Sequence, residues 1–264
     1  MAYETLLVDT AAGVTRITLN RPDKLNALSM KLLGELHQAV KHAAQDNNCR
    51  CLLLTGAGRG FSAGADLTDP ANMPKPGSAI DFGAPLESTY HPIIRLMRGM
   101  AKPVVAAING TAAGAGCNIA LAADITVATR SAKLIQAFVR IGLVPDASGT
   151  WTIPRLIGRA RAMQWMMSGD SITAETAERW GLISAVYDDA NFAAEAQALA
   201  QRLAAQPTQA LAGIKQLVDA SVMGEMDAQL ARESAMQTQV GRSKDTMEGI
   251  MAFIQKREAK FTGK

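Results

Sequence analysis

Apolar and polar positions alternate through Val14-Thr15-Arg16-Ile17-Thr18-Leu19, the pattern of a strand with one buried face. Residues 3–9 and 13–20 therefore read as two strands joined at Ala11-Ala12-Gly13. After Asn20-Arg21-Pro22-Asp23 the period lengthens. Leu28, Leu32, Leu36 and Val40 recur four apart, predicting an amphipathic helix from Ser29. Cys51-Leu52-Leu53-Leu54-Thr55 and Val104-Val105-Ala106-Ala107-Ile108 are short, continuous apolar runs, as in strands covered on both faces of a parallel sheet. Helices are predicted over 84–99 and 114–122, and a further strand over 124–128. The alternation continues to about residue 190 and predicts an α/β domain with crossovers. Beyond it the pattern is helical: Phe192, Ala196, Leu199 and Leu203 form one stripe, and Leu211, Ile214 and Leu217 another after Pro207. Further helices are predicted over 225–239 and 244–257. The chain thus divides into a core, 1–190, and a helical region, 191–264. That region has no strands of its own to cover, so it must pack on the core or on another subunit, and a homo-oligomer is expected.

Composition narrows the class. The chain has 264 residues, 48% of them hydrophobic, enough for a substantial core. Lys and Arg number 27 against 24 Asp and Glu, a net charge of +3, so bulk charge gives no support for a nucleic-acid or anionic-membrane partner. No apolar run approaches the roughly 20 residues that span a bilayer, and the start, Met1-Ala2-Tyr3-Glu4-Thr5, lacks the order of a signal peptide. A cytoplasmic location is expected. Cys49, Cys51 and Cys117 have no framework spacing; Cys49 and Cys51 are expected on one face of a strand, as reduced thiols. His37 and His42 read as solvated, His91 carries no motif, and no metal site is expected.

Two glycine-rich segments each follow a buried strand: Gly56 to Asp66, and Asn109 to Gly116. Neither has the spacing of a dinucleotide or phosphate loop. Amides from two such turns can converge on one oxygen; equally, the turns can be simple packing devices. Residues 69–83, with three prolines and two glycines, read as a surface loop or a lid beside a ligand.

Several segments together resemble the crotonase (enoyl-CoA hydratase/isomerase) superfamily over essentially the whole length. They are Asn20 to Ala27, Gly60 to Leu67, Lys102 to Gly110, Gly114 to Cys117, Leu121 to Asp124, Gly158 to Ala162 and Gly181 to Ile183. The resemblance implies a spiral of ββα turns with a helical C-terminal trimerisation region, assembled as a homotrimer or a hexamer. It implies an acyl-CoA thioester substrate and no separate cofactor, coenzyme A being part of the substrate. It puts two oxyanion-hole amides on Ala65 and Ala115. Coenzyme A contacts map to Lys24, Leu25 and Ala27, and to the backbone around Ala63, Asp66 and Leu67. Phe253 and Lys256 match positions that reach a neighbour's coenzyme A, or else are a core aromatic and a solvated lysine on an end helix.

The same resemblance bears on the chemistry. Hydratases of the family use two glutamates to activate water; here those positions hold Asn118 and Phe138, neither a general acid or base. Where many relatives have glycine after a proline, this chain has Asp146, expected in an apolar setting of Phe138, Val139, Leu143 and Trp151 that raises its pKa. It reads as the acid/base of a 1,3-proton transfer, or as an N-cap. Within the family the likeness is to the phenylacetate-catabolism branch that isomerises ring-1,2-epoxyphenylacetyl-CoA to an oxepin thioester. It is carried by Cys51 to Phe61, Leu143 to Asp146 and Phe261 to Lys264. Enoyl-CoA hydration, an aspartate nucleophile as in the family's aryl-CoA dehalogenases, and a catalytically silent acyl-CoA-binding subunit are the alternatives.

Overall fold

The computed structural model describes residues 3–70 and 81–264, so most of the expected lid (71–80) lies outside the described residues. A hairpin opens the fold: β1 (Leu6–Ala11) pairs antiparallel with β2 (Val14–Leu19). Ala12 and Gly13 between them both take positive φ, 49° and 79°, the turn whose twist matches that of the strands. β2 then pairs in parallel with β3 (Cys51–Gly56), β3 with β5 (Val104–Ile108), β5 with β7 (Ile125–Thr129), and β7 with β10 (Ala185–Tyr187). These make a six-stranded sheet. Each of three central strands is followed, after a tight turn, by a short strand of a second sheet: β4 (Gly60–Ser62), β6 (Thr111–Ala113) and β8 (Lys133–Ile135). β9 (Ser171–Thr173) closes that four-stranded sheet. The path is a spiral with two strands per turn, one in each sheet. Successive turns stack backbone to backbone: a Cβ on Gly110 would lie 2.2 Å from the Arg59 carbonyl, so only glycine fits.

The predicted first helix is α1 (Met30–Gln45), with Ser29 as its cap accepting a hydrogen bond from Leu32 N. A second helical stretch comprises α2 (Gly83–Pro85), a π-helical turn (Leu86–Tyr90) and α3 (His91–Gly99). Pro92 has no N–H to offer the carbonyl of Ser88, which favours the wider turn; His91 N–H bonds instead to Leu86 O, five residues back. α4 (Gly114–Leu121) follows β6 directly. With α1 and α3 it covers one face of the large sheet, where Leu19, Leu52, Leu54 and Ile108 are fully or almost fully buried.

α5 (Gly149–Ser168) is broken at Gly158, which takes a non-helical conformation, and α6 (Ala174–Trp180) follows β9. α7 (Phe192–Ala205) lies on the other face of the large sheet. Its Phe192, Ala196, Ala200 and Ala204 pack on Val14, Cys51, Leu53, Val105 and Val127. Burial on both faces explains the continuous apolar runs of β3 and β5. Cys51 belongs to the α7 side, whereas Cys49 precedes the strand and packs on the α1 side. The two thiols therefore do not share a face, because the strand begins two residues later than the spacing suggests. α8 (Thr208–Ser221), α9 (Met226–Val240) and α10 (Lys244–Ile254) complete the chain. Among the described residues, no helix is long and apolar enough to cross a membrane.

Candidate active site

The site starts from the Asn20–Ala27 segment. Leu25 and Asn26 adopt left-handed conformations, φ 48° and 54°. The fully buried Asn26 ties this knot to the next turn of the spiral: its Oδ1 accepts from Arg21 N, and its Nδ2 donates to Ala57 O and Gly60 O. Arg21 then reaches Asp66, Nη1 to Oδ2 at 2.9 Å. A hydrogen bond from the Thr68 hydroxyl and the Arg21 guanidinium hold the Asp66 carboxyl below the ordinary carboxylate range. Asp66 N donates to Leu28 O and Asp66 O accepts from Asp69 N. The Asp66 side chain is thus turned inward as a structural ion pair, so a coenzyme A contact at this position falls to its backbone.

Leu28 N donates to Gly64 O, and Asp66 N to Leu28 O, an isolated parallel bridge centred on Leu28 and Ala65. In this pattern the Ala65 N–H points away from Leu28. Gly64, at φ 91°, lets this turn press on the next: a Cβ there would lie 2.9 Å from Ala113 O and 3.8 Å from Ala115 N. Ala115 is the second residue of α4, whose N–H has no carbonyl one turn back, and Ala113 before the helix provides no side-chain cap. The amides of Ala65 and Ala115 therefore come from adjacent turns, beside the positive end of a helix dipole.

Both residues line a cavity of about 730 Å³. One wall is the helical stretch bearing Leu86, Tyr90 and His91; the other holds Phe138, Leu143 and Asp146. Ala63 and Leu67 are on its rim, whereas Lys24, Leu25, Ala27, Phe253 and Lys256 do not line it. Phe253 is 86% exposed, so the reading as a core aromatic is wrong. It is one of a series of exposed apolar side chains on α8 to α10 that includes Ile214, Val218, Met247, Ile250 and Ile254.

Asp146 stands in the loop between a 3-10 turn (Ala137–Ile141) and α5. Its backbone carbonyl accepts from Gly149 N at 2.7 Å and from Asn118 Nδ2 at 2.9 Å. Asn118 is oriented in turn by Gln136 Nε2, which donates to its Oδ1 at 2.8 Å. Ala147 and Ser148 follow in left-handed conformations, φ 43° and 68°, uncommon for residues with a Cβ. Backbone geometry of this kind at a cavity wall is held only because neighbours over-determine it. The Asp146 side chain does not cap α5: no side-chain cap bond is made there, Ser148 being the residue that precedes the helix. Asp146 Oδ1 is buried with no hydrogen-bond partner among the described residues.

Burial pushes the Asp146 carboxyl up to about 6; its own backbone N–H and the nearby His91 moderate the rise. The apolar setting is not the one expected in full. Trp151 faces away, 37% exposed between the guanidinium groups of Arg98 (4.8 Å) and Arg155 (4.2 Å), and Val139 is 45% exposed. Helical phase after the left-handed pair turns Trp151 outward. His91, which carries no motif, is one of the groups in the cavity; its Nδ1 lies 3.3 Å from Glu87 Oε1. Tyr90 is likewise not marked by any sequence signal. His42 is exposed and bonds to the Tyr3 hydroxyl, and His37 is half-buried. Among the described residues no three His, Cys, Asp or Glu side chains are placed to hold a metal.

Two stacked sheets wound as a ββα spiral, with a cavity lined by Ala65, Ala115 and Asp146, define a crotonase fold. The chain belongs to the enoyl-CoA hydratase/isomerase family, whose model matches residues 9–264, and is an enzyme of that family. It is 46% identical over 261 residues to the 1,2-epoxyphenylacetyl-CoA isomerase of Escherichia coli K12, with 99% of each chain covered. It is 36% identical to the 2,3-dehydroadipyl-CoA hydratase of the same organism, over 98% of this chain and 99% of the relative. Among solved structures, the enoyl-CoA hydratase of Bacillus anthracis superposes with a TM-score of 0.91 at 31% identity, covering 99% of this chain and 100% of that one.

Proposed function

We propose that the protein is an acyl-CoA isomerase in which Asp146 carries out a 1,3-proton transfer. The observation that carries this reading is the Asp146 carboxyl itself: raised to about 6, with one oxygen unpartnered among the described residues, on the wall of the cavity that Ala65 and Ala115 also line. A carboxylate with a pKa near operating pH is a competent general base. It removes a proton from the carbon beside the thioester carbonyl, and the resulting enolate oxygen accepts hydrogen bonds from Ala65 N–H and Ala115 N–H, each worth about 3 kcal/mol in comparable oxyanion holes. The carboxylic acid formed then returns the proton two carbons further on, and the double bond has moved. Asn118 is engaged by Gln136 and the Asp146 carbonyl, and Phe138 is apolar, so neither activates water.

The Escherichia coli relative makes 1,2-epoxyphenylacetyl-CoA the first substrate to test. The relative named as a hydratase supports hydration as the second reading. Incubation of candidate thioesters in deuterated and in oxygen-18 water, followed by mass spectrometry, separates the two. Isomerisation gives a product of unchanged composition with exchange of carbon-bound hydrogen, whereas hydration adds 18O and a mass of water. Hydrated product as the main species would refute the reading. We also propose assembly into trimers or hexamers through the exposed apolar side chains of α8 to α10, with Phe253 and Lys256 serving a neighbour's coenzyme A, and a cytoplasmic location.

A further inference from the structure

Tyr90 is 4% exposed, lines the cavity, and has no hydrogen-bond partner for its hydroxyl among the described residues. That hydroxyl is not one of the fully buried atoms left without a partner, so it is the part of the residue that opens outward. Here the adjoining space is the cavity. Burial, and then the charges of Asp146, Asp66 and Asp69, push the phenol pKa well up, so the hydroxyl stays protonated and is a donor. It can therefore donate to an acceptor that enters the cavity. The Ala65 and Ala115 amides lie on other elements, in the turn after β4 and at the start of α4, and are engaged with the thioester oxygen in the reading above. Around Tyr90 the lining is mainly apolar, with Leu86 on its own stretch and Phe138, Leu143 and Val144 also facing the space. A phenolic donor held on such a wall discriminates by the presence or absence of one oxygen.

We propose that the Tyr90 hydroxyl is the specificity-determining donor for an oxygen carried on the acyl group, so that the site selects oxygen-bearing acyl or aryl groups over plain hydrocarbon ones. This rests on the thioester reading of the cavity but not on Asp146 acting as the base. The other polar groups on the cavity are Asp146, whose charge acts on Tyr90, the His91 imidazole next to Glu87, and Arg140, Ser148 and Thr150.

The test is therefore one of binding, by calorimetry with two unreactive thioesters, 2-hydroxyphenylacetyl-CoA and phenylacetyl-CoA. The wild-type protein is expected to bind the hydroxylated thioester about tenfold more tightly. Tyr90→Phe, which keeps the ring and its packing, is expected to abolish most of that preference and leave phenylacetyl-CoA affinity within about twofold. An absence of preference in the wild type overturns the proposal without reference to any variant. So does an undiminished preference in Tyr90→Phe, or an equal weakening of both thioesters. Turnover measurements bear separately on the isomerase reading, so failure of either idea is seen without the other.

Discussion

Replacing Asp146 with asparagine is expected to stabilise the protein while removing its chemistry. The carboxyl lies in the folded chain at about 6, against the ordinary 3.8 of aspartate, because burial disfavours its charge. At about 1.4 kcal/mol per pH unit, this difference is worth roughly 3 kcal/mol against the folded state once the group is ionised. The sign follows from proton uptake: between pH 4 and 6 the folded state binds more protons at this site than the unfolded state, so this group's contribution falls as pH rises. It levels off above the folded pKa and vanishes below the unfolded one. The asparagine side chain has no charge to bury but still desolvates an amide, so a net gain of about 1–3 kcal/mol is expected for Asp146→Asn at pH 8. Urea denaturation of both proteins at pH 8, 6 and 4.5 measures it. The gain should be greatest at pH 8 and largely gone at pH 4.5. A cap would behave otherwise, since asparagine and aspartate serve nearly equally there. A variant equal to or less stable than the parent at every pH would refute the argument.

Three other outcomes follow from the same geometry. Asp66→Ala leaves Arg21 without its carboxylate in a pair whose side chains are 8% and 21% exposed, and should destabilise by about 3 kcal/mol in urea at pH 7; since the Asp66 pKa is lowered, the difference should shrink as pH falls below about 4. His91→Asn removes the charge that opposes the rise at Asp146, so the acidic limb of the kcat/KM profile should move upward from about 6. Light scattering should give a mass of three or six 27.9 kDa chains, and Phe253→Asp, at a side chain 86% exposed, should lower it.

What was legible in the sequence was what depends on local period and on short-range chemistry. The stripe Leu28, Leu32, Leu36 and Val40 gave α1 because a helix must bury one face, and the unbroken runs of β3 and β5 marked strands covered by α1 and α7 on opposite sides. The helix start at Ser29 was readable too, and the structure makes that serine the cap. Contacts between distant segments were not readable. Nothing in residues 84–91 announces a cavity wall, because Tyr90 and His91 become one through a π-helical turn and through a loop that comes much later in the chain. The Asp66 side chain pairs with Arg21, which lies a full turn of the spiral earlier, and no local pattern shows that contact. Trp151 follows Asp146 closely, but the left-handed pair Ala147 and Ser148 reverses the chain and sends the indole to Arg98 and Arg155. Residue type alone does not dictate such a conformation at alanine or serine.

The most direct test of the central claim is the turnover of Asp146→Asn on a thioester the parent isomerises, measured beside its affinity for an unreactive coenzyme A thioester. Asparagine retains the shape of the side chain but cannot accept the proton at neutral pH. A fall in kcat on the order of 100-fold or more is expected, with binding of the unreactive thioester within about twofold because the Ala65 and Ala115 amides are untouched. A stable variant that binds the thioester and isomerises at near the parental rate would contradict it.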